Sequence, residues 1–188
     1  MKYYKKVEKF ALDAYENGEG KGGLTHYKRT VYWVKQLRPN ADEALLIAAI
    51  CHDIERAFRD EKTKSDIKET KKSFMDKDKL TRHQERGAEI AGSYLAKLGA
   101  DKHLVERVKH LISKHEVGGD EDQNLLKDAD SVSFFENNVD YFVTKQAQLR
   151  GKENVREKFQ WMYQRINSPK AKAIVKGWYE EALEKLKA

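Results

Sequence analysis

The chain has 188 residues, 36% of them charged and 39% hydrophobic, with two prolines and a single cysteine. That length suffices for one domain with its own apolar core, and Cys51 alone excludes an intramolecular disulfide framework. A net charge of +6 modestly favours anionic partners and leaves nucleotides, nucleic acid and acidic surfaces open; no stretch approaches the roughly 20 apolar residues of a membrane span, Met1 to Phe10 does not read as a signal peptide, and a cytoplasmic location is expected.

In chain order, Met1 to Tyr15 reads as an amphipathic helix with Tyr3, Tyr4, Val7, Phe10, Ala11 and Ala14 inward. Gly18 to Gly23 breaks it. This glycine cluster lacks the GxxxxGK[ST] pattern and follows no apolar strand, so it reads as a connector, not a phosphate loop. Thr25 is expected to cap a helix carrying His26, Thr30, Trp33, Val34 and Leu37 and ending before Pro39.

Asn40 to Arg56, NADEALLIAAICHDIER, is the stretch around which the rest is organised. Asn40 with Glu43 suggests a capping box, and Ala44 to Cys51 is apolar on every face, as in a helix buried inside a bundle. His52 and Asp53 close this dry run. An ionisable pair placed there is costly to desolvate unless something compensates it, and a divalent cation, for which imidazole and carboxylate are both ligands, does so. Alone, the pair reads as a hydrogen-bonded His and a capping Asp; the other histidines and aspartates raise the metal reading.

Arg59 to Lys79 is the most polar segment, with Ile67, Phe74 and Met75 as anchors, and reads either as a solvated loop or as a lid. Thr81 with Gln84 forms another expected capping box, opening a helix with His83, Ala88, Ile90, Ala91, Tyr94, Leu95 and Leu98. Asp101 is expected to cap the next helix, which runs until Gly118-Gly119; His103 falls in its exposed first turn, and His110 and His115 are too far apart for an i, i+4 pair. Leu125 to Val132 is an apolar helix interrupted by Asp128 and Asp130, which again ask for a compensating charge. Beyond it, residues 137–148 and 153–166 read as helices with Phe142, Val155, Phe159, Trp161, Met162, Tyr163 and Ile166 as their apolar set, and Ser168-Pro169 starts a final helix.

A His early in a helix, a His-Asp pair ending a buried helix and an Asp in an apolar DAD helix together resemble the HD-domain superfamily of metal-dependent phosphohydrolases. His26, His52, Asp53 and Asp130 occupy its H…HD…D positions over about residues 20–135. Asp130 is chosen over Asp128 because the family places its ligand after a small residue and before the apolar continuation. His83 and His115 resemble the extra ligands of the dinuclear branch, in which Asp53 would bridge two metals. Lys114 stands where that branch has the first of two adjacent histidines, Glu116 is kept, and the Gly-Tyr-Pro segment of the cyclic-dinucleotide phosphodiesterases is missing.

The resemblance implies an all-α HD-type bundle, one domain over 1–188 with 136–188 as a C-terminal helical extension. It implies one or two divalent ions (Mn, Fe, Co, Mg or Zn) on His26, His52, Asp53, Asp130, His83 and His115, with Asp53 and His83 also catalytic. A metal-activated water would cleave a phosphomonoester or phosphodiester of a small substrate, a nucleotide being favoured. Arg56, Arg82, Lys114 and Lys127 lie near these ligands in sequence and are the candidate substrate-binding cations, although each alone reads as a surface charge; Glu55 could orient the water. Two alternatives remain: an HD-fold di-iron oxygenase, and a non-catalytic module binding nucleotide or RNA.

Overall fold

Helix α3 (Glu43–Cys51) buries Ala44 through Cys51 without a break, so it needs neighbours on every side. These are α1 (Tyr4–Asn17), α2 (Leu24–Leu37), α4 (Lys77–Lys97), α5 (Lys102–Ile112) and α6 (Glu121–Asn137), each in contact with it. α2 also lies along α6, and α4 along α5. The computed structural model describes residues 1–18, 23–59 and 74–187, which are mainly helical and contain no strand, as the expected all-α bundle requires. No described helix is long and apolar enough to cross a membrane.

Several helix starts differ from expectation. α3 is capped by Asp42, whose side chain accepts from Leu45 N, and not by Asn40. Glu43 closes no capping box; its carboxylate accepts the backbone N–H groups of Tyr3 and Tyr4 and ties the start of α1 to the start of α3. α2 begins after Gly23 with no side-chain cap, so Thr25 lies inside the helix. α4 starts four residues before Thr81, capped by Asp76. Gln84 is thereby freed to accept from Glu116 N at 2.9 Å. Asp101 and Ser168 cap as expected. α5, however, ends at Ile112, and turns carry the chain through His115 to Gly118, whose φ of 77° suits a residue without Cβ.

A second apolar cluster forms where the lower half of α6 meets the C-terminal helices. Val132, Phe134 and Phe135 pack with Val139, Val155, Phe159, Met162 and Ile166. The helix expected over 137–148 is subdivided: Val139–Tyr141, a π-helical stretch Phe142–Gln146 and Ala147–Arg150, together α7. α8 (Lys152–Gln164) and α9 (Pro169–Lys185) follow. Phe159 is fully buried, which stabilises by roughly 2–3 kcal/mol. Trp33 and Leu37 of α2 pack against both clusters. Most of the expected glycine connector, and most of the polar segment from Arg59 to Lys79, lie outside the described residues.

Candidate metal centre

The end of a helix leaves its last carbonyls without intrahelical donors. At the end of α3 two side chains supply them: the Tyr15 hydroxyl donates to Ile50 O (3.0 Å), and His52 Nδ1 donates to Ala49 O (2.8 Å). A carbonyl only accepts, so Nδ1 of His52 carries a proton, and Nε2, which faces His26 and Asp130, is the lone pair whenever the ring is neutral. The chain repeats the device after α5. His115 Nδ1 donates to Ile112 O at 2.8 Å, again three residues back, and its buried Nε2 has no hydrogen-bond partner. Two helix ends thus aim two imidazole lone pairs into one space.

Asp53, one residue past His52, divides its oxygens between two groups of donors. Oδ2 lies 3.9 Å from His52 Nε2 and Oδ1 lies 2.8 Å from His83 Nε2 and 3.9 Å from His115 Nε2. On the first side, His26 Nε2 is 3.3 Å from His52 Nε2, and Asp130 Oδ1 is 3.1 Å and 3.4 Å from these two nitrogens. On the second side, His83 Nδ1 meets Glu55 Oε2 at 2.7 Å, a carboxylate behind a histidine that fixes the ring. Two sets of buried donors, His26–His52–Asp53 and Asp53–His83–His115, are therefore each compact enough to hold a cation, with Asp53 common to both.

The protonation chemistry suits a cation. Burial pushes His52 down, but the hydrogen bond to Asp130 and the Asp53 and Asp130 charges carry it up to about 9. His83 is likewise raised against burial by Asp53 and Glu55. Burial dominates at His115 and pushes it down to about 4, so that ring stays neutral. Burial disfavours the Asp53 and Asp130 carboxylates, yet Arg56 and Arg165 respectively hold them well below the usual range. The centre is thus a cluster of ionised carboxylates facing imidazoles, and a divalent ion could take the lone pairs that protons otherwise occupy.

A comparison with protein families matches residues 11–186 to a domain of unknown function, DUF4202. The chain belongs to that family. No curated protein and no solved structure matches. In this DUF4202 domain all six predicted ligands, His26, His52, Asp53, Asp130, His83 and His115, are buried together. Asp128 is placed elsewhere: its carboxylate accepts Asn167 N and Ser168 N and anchors the start of α9.

The four predicted cations separate. Arg56 is at the centre, its Nε 2.7 Å from Asp53 Oδ2, and exposed Arg82 lines the cavity. Lys114 and Lys127 are not among the lining residues. Lys114 is exposed, and Lys127 is buried with Nζ donating to Asn124 and Asn167 side chains, because α6 uses it to hold the loop before α9. Sequence reasoning missed the two cations that α8 and its C-cap supply. Arg165 donates to Asp130, to the Glu116 side chain and backbone, and to Ser131 Oγ; Lys158 lines the cavity. Their signal was a spacing: Lys158, Met162 and Arg165 fall at i, i+4 and i+7, flanking the buried stripe Val155–Phe159–Met162–Ile166.

The cavity over these donors has a volume of 1090 Å³. Its floor is His26, Asp53, His83, Glu116 and Asp130, and its far wall is Phe134, Phe142 and Met162 with the amides of Asn137, Asn138 and Gln146.

Proposed function

We propose that this chain is a metal-dependent phosphohydrolase acting on a small phosphorylated substrate. What carries the reading is that the residues of the H…HD…D pattern, 104 positions apart at their extremes by residue number (26 to 130), meet at one buried point on a cavity floor. The resemblance to the HD superfamily supplies the reaction class. The aromatic wall with its amides favours a nucleotide as the substrate, since a base offers both a flat face and hydrogen-bonding edges.

A divalent ion held by these donors would supply Lewis acidity and a bound water ionising near pH 7, to within about a unit. The chain's own residues do the rest. Burial would raise Glu55, but His83 and Arg59 bring it down to about 2, so its carboxylate stays ionised and keeps the proton of His83 on Nδ1. His83 Nε2 then presents its one lone pair beside Asp53, as a ligand when an ion occupies the second donor set and as the atom that takes a proton when none does. Arg56 and Arg82 add positive charge where phosphoryl oxygens would lie.

The test is metal content of the purified protein, followed by phosphate release from a panel of mono- and diesters with each metal restored. Turnover that needs metal and disappears in Asp53→Ala is expected. Bound iron with dioxygen uptake and no phosphate release would favour the oxygenase that shares this donor set. Ligand binding indifferent to chelators would favour the non-catalytic module.

A further inference from the structure

Most cations on this cavity already have an anionic or carbonyl partner. Arg56 pairs with Asp53, Arg59 with Glu55, and Arg86 donates to Phe58 O. Arg165, behind the floor, is taken by Asp130 and Glu116. Arg82 is exposed at the cavity with no such partner among the described residues, and Lys158 is the half-buried cation in the same position. Among the described residues no carboxylate lies within ion-pair reach of it; its Nζ sits 4.3 Å over the Trp161 ring and 5.8 Å from that of Phe134. The same side chain lines the cavity beside Glu116, Asp130 and Met162. The residue is half-buried and its Nζ keeps contact with solvent, so it stands at the cavity as an ammonium with aromatic faces and no anion as its neighbours.

We propose that Lys158 is the residue that recognises the substrate's phosphate, and that the ligand is a phosphomonoester dianion entering phosphate first. Charge around the donors supports the dianion. The four carboxylates of Asp53, Glu55, Glu116 and Asp130 are equalled in number by four cations, of which Arg56, Arg59 and Arg165 are ion-paired with them and Lys158 is not. With neutral imidazoles this group is uncharged, so each divalent ion adds two positive charges for the ligand to neutralise. A dianion offsets the charge of one ion fully and of a pair by half, twice what a diester monoanion offsets in either case. Burial brings Lys158 down to about 8, against the pull of Glu116, so it is charged at neutral pH and strengthens when a phosphate approaches. Further out, Asn138 lines the cavity and makes no side-chain hydrogen bond to described residues, which leaves its amide for the organic part of the ligand.

The ligand class rests on the phosphohydrolase reading, but the subsite is tested by binding. Inorganic phosphate, methyl phosphate and dimethyl phosphate are titrated by calorimetry into the full chain, chelated and metal-loaded. Lys158→Met should weaken phosphate binding at least about tenfold, the worth of one charge-assisted hydrogen bond, with bound metal unchanged. Its melting temperature should change little, because no ion pair is broken and Arg165 still holds Glu116; Lys158→Arg should recover most of the binding. Lys158→Gln provides a second neutral replacement should the methionine variant misfold.

Phosphate bound equally by Lys158→Met, or not bound by the unmutated chain, overturns the subsite. A fall in melting temperature with binding untouched marks a structural lysine and also overturns it. Dimethyl phosphate binding as tightly as methyl phosphate overturns the choice of a monoester. Lys158-dependent phosphate binding without turnover of any phosphoester supports the subsite and removes the phosphohydrolase reading. Turnover indifferent to Lys158→Met does the reverse.

Discussion

Arg165 Nη2 donates to Asp130 Oδ2 across 35 residues of sequence, while Asp130 Oδ1 stays turned toward His26 and His52. One oxygen of the carboxylate is thus committed to the C-terminal helices and the other to the histidines. The guanidinium also reaches Glu116, next to His115, so both sides of the centre lean on one side chain from outside the H…HD…D core.

Arg165→Met should destabilise the chain by about 3–5 kcal/mol, the usual consequence of stripping a buried carboxylate of its cation. Two carboxylates lose their partner here. Denaturant unfolding of the chelated protein measures it. A loss below about 1 kcal/mol would mean that solvent, not Arg165, screens these groups.

Acid should weaken the chelated protein over a defined window. Burial pushes Glu116 up, but Arg165 and Lys158 outweigh it and bring the group down to about 2, from an unfolded value of 4.5. A depressed acid stabilises fully above its unfolded value, and that contribution fades as pH falls from 4.5 through about 2. It is on the order of 3 kcal/mol. Glu116→Gln should flatten the stability curve over this interval; parallel curves for variant and parent would assign the acid loss to other carboxylates.

Metal should stabilise the fold and bind as a pair of ions, about two per chain, if Asp53 serves both donor sets. His83→Ala and His115→Ala should each leave about one, Asp53→Ala fewer still, and His103→Ala, on the exposed start of α5, should change nothing. Elemental analysis counts the ions. Chelation should lower the melting temperature, since saturation at a thousandfold excess over Kd contributes about 4 kcal/mol. A melting curve that ignores chelator would sink the metal centre.

Cys51 is fully buried, and burial pushes its thiol up to about 12. At pH 8 only about one thiol in ten thousand is then ionised. A disulfide reagent should therefore modify the native chain only as fast as α3 opens, and the unfolded chain at once. Being the single cysteine, it reports without ambiguity. Complete modification within seconds in the absence of denaturant would contradict the burial of α3.

The parts legible in sequence were those fixed by local pattern. An apolar run longer than one helical face demanded a central helix, and ionisable residues at its end demanded compensation. Caps were legible only where no competitor existed. Asp101 and Ser168 behave as read, whereas Glu43 was drawn away by the N–H groups of Tyr3 and Tyr4, and Gln84 by Glu116 N. Lys127 and Lys158 illustrate the harder case. A lysine on an amphipathic helix reads as surface charge, because its aliphatic stem tolerates either setting; only the distant partner, Asn167 for one and Phe134 for the other, decides.

Arg165 also carries a consequence for the order in which the protein is made. During synthesis His26, His52, Asp53, His83, His115 and Asp130 leave the ribosome before the guanidinium that Asp130 and Glu116 depend on. Domains generally fold as their chain becomes available, N-terminal parts first. A nascent chain that has just exposed Asp130 therefore presents every donor atom of the centre, but with two carboxylates still seeking a positive partner. Its final charge balance is reached only when the end of α8 docks, which makes completion of the centre a late event in the life of each new chain.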